Sequence, residues 1–276
     1  MYKKTIFKSL KKEILKAIKR IYWYNYTSIK YLYLTIIFKI SLKKIKKYKI
    51  ALLCPTRERS KKFLRMLESL KKNSSDIGRI ELLVLCDEDE PEIDNYFDII
   101  KKNKLEVVNL KFFKKSFLTN AERHNFLAKK SNSNLFIAIN DDIIFPTEKW
   151  DDILDIEFSK VGSEPYCLWI NNNQKYLYLH CDFPIINDHW YKRLGYIGSE
   201  HFKFWYLDTW ICDLCLKSKK FFVTSKIKIF QYSANTFKNE VDNTHLKNIK
   251  DGIPENDYQT WINTEKKRNE EAKLLI

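Results

Sequence analysis

Acidic and amide side chains follow two apolar runs of the sequence, where each run stops. The stretch Asp87–Glu90 follows the first of these runs, and Asn140-Asp141-Asp142 follows the second. Adjacent carboxylates on a tight turn after a buried strand suit Mg²⁺ or Mn²⁺, which prefer oxygen ligands and often also bind substrate phosphates. Such an ion can neutralise the charge on a departing diphosphate. A structural alternative remains open, because the same turn could cap a helix beginning near Trp150.

A third polar loop, Pro55–Arg59, follows the first apolar run of the body. It contains no glycine, and the chain has only 5 glycines in 276 residues. Neither G-x-G-x-x-G nor a Walker A motif occurs, so the dinucleotide-binding and P-loop classes lack the glycines that they need. The three polar loops therefore indicate a site that binds a metal ion and phosphate without a glycine-rich motif.

These loops must be positioned by alternating strands and helices. The pattern predicts strands at Ile50–Cys54, Ile80–Cys86, Leu105–Leu110 and Leu135–Ile139. It predicts one helix capped by Ser60 and running to about Lys72, and another capped by Thr119 or Asn120 and running to about Lys130. Such alternation is typical of an α/β fold with a doubly wound, mostly parallel sheet flanked by helices. Ligands of these sheets bind beyond the carboxyl ends of the strands, where all three polar loops lie.

The order of three segments resembles the family 2 type of GT-A glycosyltransferases. They are KIALLCPTRERSKKFLRMLESL, then IELLVLCDEDEPEIDNY, then NAERHNFLAKKSNSNLFIAINDDIIF. The later stretches FPIINDHWYKRLGYI and FKFWYLDTWICDLCLKSKKFF resemble the acceptor half of that group. The resemblance covers residues 49–250 and implies a GT-A glycosyltransferase domain with that span.

The resemblance implies a role for each matching residue. The nucleotide-sugar donor would be bound by Pro55, Thr56, Arg57, Glu58, Asp87, Arg123, Asn140 and Asp141. Within that set, Asp87 would read the base and Arg123 would meet the ribose or diphosphate. Structural alternatives stay open: Asp87 could belong to a solvated loop, and Arg123 could be a surface residue on its helix.

The implied metal site contains Asp142 and binds Mn²⁺ or Mg²⁺. Relatives often complete this site with a histidine after a late strand, whereas this chain has Gln231 there, with His245 further along. Asp208 would be the general base that takes the proton of the acceptor hydroxyl in an inverting displacement. Its alternative role is to cap the helix that begins before Trp210.

The net charge of +15 belongs almost entirely to the N-terminal segment. Residues 1–50 carry 15 basic side chains and one acid, Glu13, whereas the rest of the chain carries 35 basic and 34 acidic side chains. A nearly neutral body argues against nucleic-acid binding, which places basic charge on the folded domain. Apolar residues recur with helical spacing on one face of this segment, with lysines opposite: Ile6, Phe7, Leu10, Ile14, Ile18 and Ile21 against Lys4, Lys8, Lys11, Lys12, Lys16 and Lys19.

This pattern predicts that residues 1–48 form a basic amphipathic segment on an anionic membrane surface. Packing against the body and a true membrane span are the alternatives. The six cysteines favour free thiols in a reducing compartment, since nothing resembles a secretory signal. We therefore expect a cytoplasmic protein, peripheral on the inner face of the membrane. Residues 251–276 are predicted to form a charged helix of unassigned purpose.

The sequence thus predicts transfer of a sugar from a nucleotide-diphospho-sugar, with a UDP-sugar favoured, to a glycan or lipid-linked acceptor. Two alternatives stay open. One is a non-catalytic binding module with a transferase-like fold, for which Gln231 is the best support. The other is a nucleotidyltransferase, which would need a glycine-rich loop after the first strand.

Overall fold

The computed structural model describes residues 46–102, 109–171, 180–232 and 243–276, without the side chains of 243–245 and 248. The predicted N-terminal membrane segment lies outside these ranges, apart from its last three residues. Residues 47–276 form one compact unit. In the described ranges, every helix is too short or too polar to cross a bilayer.

The unit is built around a seven-stranded sheet in the order β3-β2-β1-β4-β7-β6-β8. Strands β1 to β4 pair in parallel, β7 runs antiparallel to both β4 and β6, and β6 pairs in parallel with β8. A separate two-stranded antiparallel ladder joins β5 to β9. The strands are β1 Ile50–Pro55, β2 Ile80–Cys86, β3 Asn109–Lys114, β4 Leu135–Ala138, β5 Ile143–Ile144, β6 Cys167–Asn171, β7 Ile185–Asn187, β8 Phe221–Lys228 and β9 Phe230–Gln231.

Helices alternate with these strands, which confirms the predicted α/β architecture with a mostly parallel sheet. Strands β1, β2 and β4 are fully or nearly fully buried, as a sheet covered on both faces requires. The helices are α1 Ser60–Asn73, α2 Ile93–Lys102, α3 Asn120–Ala128, α4 Trp150–Phe158, α5 Asp188–Leu194, α6 Leu207–Ser218, α7 Asn243–Lys250, α8 Ile253–Asn263 and α9 Glu265–Leu274.

Three details differ from the sequence predictions. The third strand is Asn109–Lys114 rather than Leu105–Leu110, of which residues 105–108 lie outside the described ranges. Ser60 does not cap α1; it is the first helical residue, and Arg59 holds the cap position without a side-chain bond. The C-terminal stretch forms two helices, because Thr264 interrupts it between α8 and α9.

The C-terminal helices hold the loop that precedes α6. Asp257 of α8 is 1% exposed, and its carboxylate accepts hydrogen bonds from the backbone amides of Lys203, Phe204 and Trp205 at 2.8–3.0 Å. On α9, the Arg268 guanidinium donates to Asp213 of α6 at 2.7 Å. Asp257 and Arg268 therefore hold α6 and the loop before it in place. These contacts give the C-terminal stretch a structural purpose.

Aromatic residues fill the core around α5 and α6. Trp190 and Trp210 are completely buried, so both belong to the core and neither offers a surface for stacking on a sugar. All six cysteines are buried with free thiols, and Cys212 and Cys215 lie on α6 as the helical interpretation predicts.

Candidate donor site and candidate base

The buried Asp141 lies at the centre of a polar cluster beyond the ends of β1 and β4. Its carboxylate accepts hydrogen bonds from the Thr56 hydroxyl at 2.6 Å and from the Arg59 guanidinium at 3.1 Å. The Tyr96 hydroxyl of α2 lies 2.7 Å from the same Thr56 oxygen. Because parallel strands end at one edge of the sheet, residues 85 positions apart meet here. Burial raises the pKa of Asp141 although Arg59 opposes that rise.

Asp142 follows at the same turn, and its carboxylate has fewer hydrogen-bond partners among the described residues than that of Asp141. Within the described part of the chain, the hydrogen bonds to its carboxylate come from the Gln231 amide, 3.2 Å from Oδ1 and 3.4 Å from Oδ2. Ladder β5–β9 brings these two residues together, since Ile143 pairs with Gln231. Burial, and then the neighbouring Asp141 carboxylate, raise the pKa of Asp142 to about 6.

Asp87, at the end of β2, is held between two arginines. The Arg123 guanidinium of α3 lies 3.0 Å from Oδ1 of Asp87, and that of Arg57 lies 3.2 Å from Oδ2. Asp87 is 9% exposed, so this three-residue bridge is largely shielded from water. The structure thus brings together three residues that the sequence assigns to the donor site, one from each of three loops or helices.

The other acidic residues of this loop serve the fold. Glu90 is 4% exposed and accepts the backbone amide of Glu58 at 3.1 Å, while Glu92 accepts that of Ser60 at 2.8 Å. They satisfy the free amides at the start of α1, which lacks a cap of its own. The Glu58 side chain is exposed, and its backbone is left-handed, with φ 53°. Of the other predicted donor residues, Pro55 ends β1 and Asn140 is half-buried at the metal turn.

Asp208 lies in the first turn of α6, beside a histidine that the sequence analysis missed. Its Oδ1 accepts the backbone amide of Thr209 at 2.7 Å, and its Oδ2 lies 3.2 Å from Nε2 of His180. The same imidazole nitrogen lies 3.3 Å from Oδ1 of Asp182. The cap position of α6 is occupied by Tyr206, with φ 69°, so Asp208 is not the cap residue.

Backbone contacts connect the α6 start to the donor cluster. The Asn120 amide at the start of α3 donates to the Lys203 carbonyl at 2.9 Å, and the Asn120 side chain donates to the Phe204 carbonyl at 3.2 Å. Arg123 lies one turn along α3 from Asn120, and Asp208 lies four residues beyond Phe204. These bonds attach the loop before α6, where the candidate base lies, to the helix that carries Arg123.

Two groups of described residues could hold a metal ion. Asp142 and the side-chain carbonyl of the neighbouring Gln231 are hard oxygen ligands. Arg59 neutralises the adjacent pair of carboxylates only in part, through Asp141, which favours binding of a cation. This donor set fits Mg²⁺ or Mn²⁺. The trio His180, Asp182 and Asp208 has ligand atoms that all lie within 4.8 Å of one another. His245 lies in α7, but its side chain is outside the described residues, so its assignment as a ligand stays a prediction.

Several site residues could not be found from their sequence signal. Arg59 lies in the loop Pro55–Arg59, but its position there indicates no role. Nothing in the sequence around Tyr96 indicates that its hydroxyl belongs to a site. His180 is 28 positions before Asp208 and precedes β7 in a short H-x-D pattern that matches no known motif. Only the tertiary fold connects these residues.

Comparison with known proteins identifies the fold. No protein-family model matches the sequence, and a search of curated proteins finds no similar one. Solved structures do match. The mannosyltransferase PcManGT from Pyrobaculum calidifontis, in complex with GDP-Man and Mn²⁺, aligns over 67% of this chain and 57% of its own with TM-score 0.55 and 8% identity. S. aureus TarS 1–349 with UDP aligns over 69% and 62%, with TM-score 0.53 and 16% identity.

A third match has the same character. GalNAc-T7, in complex with UDP, GalNAc and Mn²⁺, aligns over 67% of this chain and 43% of its own, with TM-score 0.54 and 11% identity. The chain therefore spans less than two thirds of the length of each of these three proteins. At such low identity the likeness establishes the fold alone. The GT-A fold predicted from the sequence is confirmed.

Proposed function

We propose that this protein transfers a sugar from a nucleotide-diphospho-sugar to an acceptor hydroxyl, as a family 2-like glycosyltransferase. The observation that carries the proposal is the adjacent pair Asp141 and Asp142 at the carboxyl edge of a GT-A sheet. The pair is buried, and its charge is only partly neutralised by the chain. Three proteins with the same fold have nucleotides or nucleotide sugars bound, and two of them have Mn²⁺.

The donor would lie across the three loops at this edge. Asp87 would contact the base. The Arg123 guanidinium has five donors and reaches Asp87 through Nη2, and it would also meet the ribose or diphosphate. Asp141 is oriented by Thr56 and Arg59 and would contact the ribose or the metal. A UDP-sugar is the favoured donor.

Asp142 would hold Mn²⁺ or Mg²⁺. The Gln231 amide, whose NH2 group donates to Asp142 in the structure, would turn over so that its carbonyl becomes a further oxygen ligand. A bound divalent cation supplies neutralisation of the negative charge on a diphosphate leaving group. The chain itself keeps the two carboxylates close at a turn that closes with the Tyr232 amide donating to the Asp142 carbonyl at 2.8 Å. This bond fixes the position of the metal turn relative to β9.

Asp208 would be the general base. Its carboxylate would take the proton of the acceptor hydroxyl while the acceptor oxygen bonds to the sugar carbon and the bond from that carbon to the diphosphate breaks. The leaving nucleoside diphosphate keeps the bonding electrons. In an inverting displacement, the base and the leaving group must lie on opposite sides of the sugar carbon. The proposed base and the proposed metal ligand come from two separate segments, the start of α6 and the turn after β4.

We propose further that the acceptor is a glycan or lipid-linked acceptor at the membrane. The basic amphipathic pattern of residues 1–48 would place the enzyme on the cytoplasmic face, beside anionic lipids. Removal of residues 1–45 is expected to release the protein from anionic vesicles and to leave donor binding intact. Sedimentation of the truncated protein with those vesicles would contradict this attachment.

Asp208→Asn tests the transfer proposal in the full-length protein. With Mn²⁺ and a panel of UDP-, GDP- and CDP-sugars plus membrane lipid extract, nucleoside diphosphate release should fall by about 10²- to 10⁴-fold. Donor affinity should not change, because the carboxylate acts on the acceptor. Asp98→Asn, an exposed α2 position, is the matched control and should keep full activity.

Either of two results would contradict the proposal. Full activity of Asp208→Asn would remove the base assignment. Metal-dependent donor binding without any release of nucleoside diphosphate would instead support the non-catalytic binding module.

A further inference from the structure

Trp205, in the loop before α6, differs from the tryptophans of the core in its burial. Four described tryptophans are at most 1% exposed: Trp150, Trp169, Trp190 and Trp210. Trp205 is half-buried. Its ring meets that of Phe204 edge to face, with centroids 5.0 Å apart, and such a contact covers at most one face of the indole. A large apolar ring therefore remains partly in contact with water at this loop.

Trp261 of α8 is half-buried as well, but its ring already has partners inside the protein. It stacks on the ring of Tyr206, with centroids 5.3 Å apart. The guanidinium carbon of Arg268 lies 3.5 Å from the Trp261 centroid, which is a cation–π contact. Trp261 thus supports the loop before α6, whereas the indole of Trp205 is the part of this aromatic group that can accept a ligand.

Hydrogen bonds from two helices hold the backbone around Trp205. The Asp257 carboxylate of α8 accepts the amides of Lys203, Phe204 and Trp205 at 2.8–3.0 Å. Asn120 of α3 binds the carbonyls of Lys203 and Phe204, at 2.9 and 3.2 Å. A ring on a backbone that is already ordered loses little freedom when a ligand packs against it, which favours binding.

The chain enters α6 immediately after this ring, through a strained residue. Tyr206 has φ 69°, a left-handed conformation that is unfavourable for a bulky side chain. Such conformations persist where the surrounding contacts hold them, and they cluster at ligand sites. Asp208 follows in the first turn of α6. Its Cα is at most about 11 Å from that of Trp205, because the two residues are three Cα–Cα steps of about 3.8 Å apart.

A sugar ring matches this combination of groups. One face of a pyranose carries mainly C–H groups that pack against an aromatic ring, while its hydroxyls need polar side chains nearby. Asp208 and Asp182 supply carboxylates beside the loop. A bilayer surface also suits a partly exposed tryptophan, but it would not require the ring to be fixed three residues from the candidate base.

We propose that Trp205 is an acceptor-binding residue, on which a sugar ring of the acceptor stacks while one of its hydroxyls reaches Asp208. This inference rests on the proposed function for the role of Asp208. It makes a pyranose ring the part of the acceptor that the protein recognises, in a free glycan and in a lipid-linked one. Stacking forms and breaks no covalent bond.

Saturation-transfer nuclear magnetic resonance on the full-length protein tests the stacking without turnover. The probes are the methyl glycosides of glucose, galactose, mannose, N-acetylglucosamine and N-acetylgalactosamine. At least one should bind, with the strongest saturation on the C–H protons of one ring face. Trp205→Ala should weaken its binding about three- to tenfold, and Trp205→Phe should keep part of the affinity.

Two further variants control this experiment. Trp205→Leu keeps apolar volume without an aromatic face, so it should bind as weakly as Trp205→Ala and replaces that variant if the alanine protein does not fold. Phe97→Ala, at an α2 aromatic residue that is 50% exposed, should bind the glycoside as the natural protein does.

Steady-state kinetics separate this inference from the proposed function. With a glycoside that accepts sugar, Trp205→Ala should raise the acceptor KM by the same factor and leave the donor KM unchanged. If the glycosides bind as expected but none accepts sugar from any donor, the proposed function fails and the sugar site stands. If transfer proceeds with an unchanged acceptor KM in Trp205→Ala, the inference fails and the proposed function stands.

Two other results would overturn the inference. One is that no glycoside of the panel binds the natural protein, or that binding is equal in Trp205→Ala. The other is that Trp205→Ala releases the protein from anionic vesicles while glycoside binding is unchanged, which would make the ring a membrane contact.

Discussion

Two pairs of buried aspartates lie at opposite edges of the sheet and differ in the ion pairs and hydrogen bonds that the chain makes to their carboxylates. Asp151 and Asp155 on α4 surround Arg79, whose side chain is 7% exposed, at distances of 2.9 and 2.8 Å. Backbone amides add further hydrogen bonds to both of these carboxylates. At the other edge, Arg59 reaches Asp141, whereas Asp142 has only the Gln231 amide among the described residues.

The difference separates a structural site from a ligand site. Buried carboxylates that serve the fold are neutralised and hydrogen-bonded by the chain, because an unpaired buried charge is costly. Asp142 is buried to a similar extent without that compensation, and its pKa is raised to about 6. The missing positive charge at this edge is what a divalent cation would supply.

The largest expected effect is at the compensated pair. Arg79→Met removes the guanidinium that pairs with both buried carboxylates and leaves only the partly exposed Lys47 beside Asp155, so it should lower the free energy of unfolding by about 3–5 kcal/mol. Urea unfolding of the variant measures this change, and the fraction that remains folded should bind nucleotide normally. Lys72→Met at an exposed helix end is the control. A loss below about 1 kcal/mol would mean that the Arg79 cluster does not stabilise the fold.

In the metal-free protein, Asp142→Asn should raise the free energy of unfolding, whereas Arg79→Met lowers it. The pKa of Asp142 is raised from 3.8 to about 6, so its favourable protonated form is present below about pH 4 and is lost as the pH rises through 6. At pH 7.5 the asparagine variant should therefore be more stable by about 1–2 kcal/mol, and the gain should vanish at pH 4. Urea unfolding at both pH values checks this, with Asp98→Asn as the control. A clear loss of stability at pH 7.5 would contradict the account of the edge pair.

The smallest effect concerns Gln231. Replacement by histidine gives the metal turn an imidazole, which suits Mn²⁺ better than an amide carbonyl. Mn²⁺ affinity of Gln231→His should rise by up to about tenfold, or about 1.4 kcal/mol. Gln231→Ala should lower the affinity, and calorimetric titration measures both. Equal affinity in all three proteins would remove Gln231 from the site.

The sequence was sufficient for the framework of the molecule. Apolar runs that end in polar loops predicted β1, β2 and β4 together with the edge that carries Thr56, Asp87 and Asp142. The start of α3 was also predicted, with Thr119 or Asn120 as its cap. Thr119 is the cap: its side chain accepts the Glu122 amide, while the Glu122 side chain accepts the Thr119 amide. Both kinds of signal are local, so they can be recognised from this sequence alone.

What sequence alone could not supply depends on contacts between distant segments. The cap of α1 comes from Glu90 and Glu92, some 30 residues away, so Ser60 was wrongly predicted as its cap. The meeting of His180 with Asp208 requires β7 and α6 to be placed first. Compensation of charge, which distinguishes the two aspartate pairs, is likewise a tertiary property.

We expect the adjacent aspartates Asp141 and Asp142 to bind a nucleotide through a divalent ion. Thermal unfolding of residues 46–276, the compact unit with one preceding residue, with UDP, GDP or CDP and with or without Mn²⁺ tests it most directly. Ligand at a hundred times its Kd adds about 2.7 kcal/mol, or about 5–10 °C for a domain of this size. We expect such a shift with one nucleotide, dependent on Mn²⁺, abolished in Asp142→Asn and retained in Asp98→Asn. No shift with any of the three, or an equal shift in Asp142→Asn, would contradict the claim.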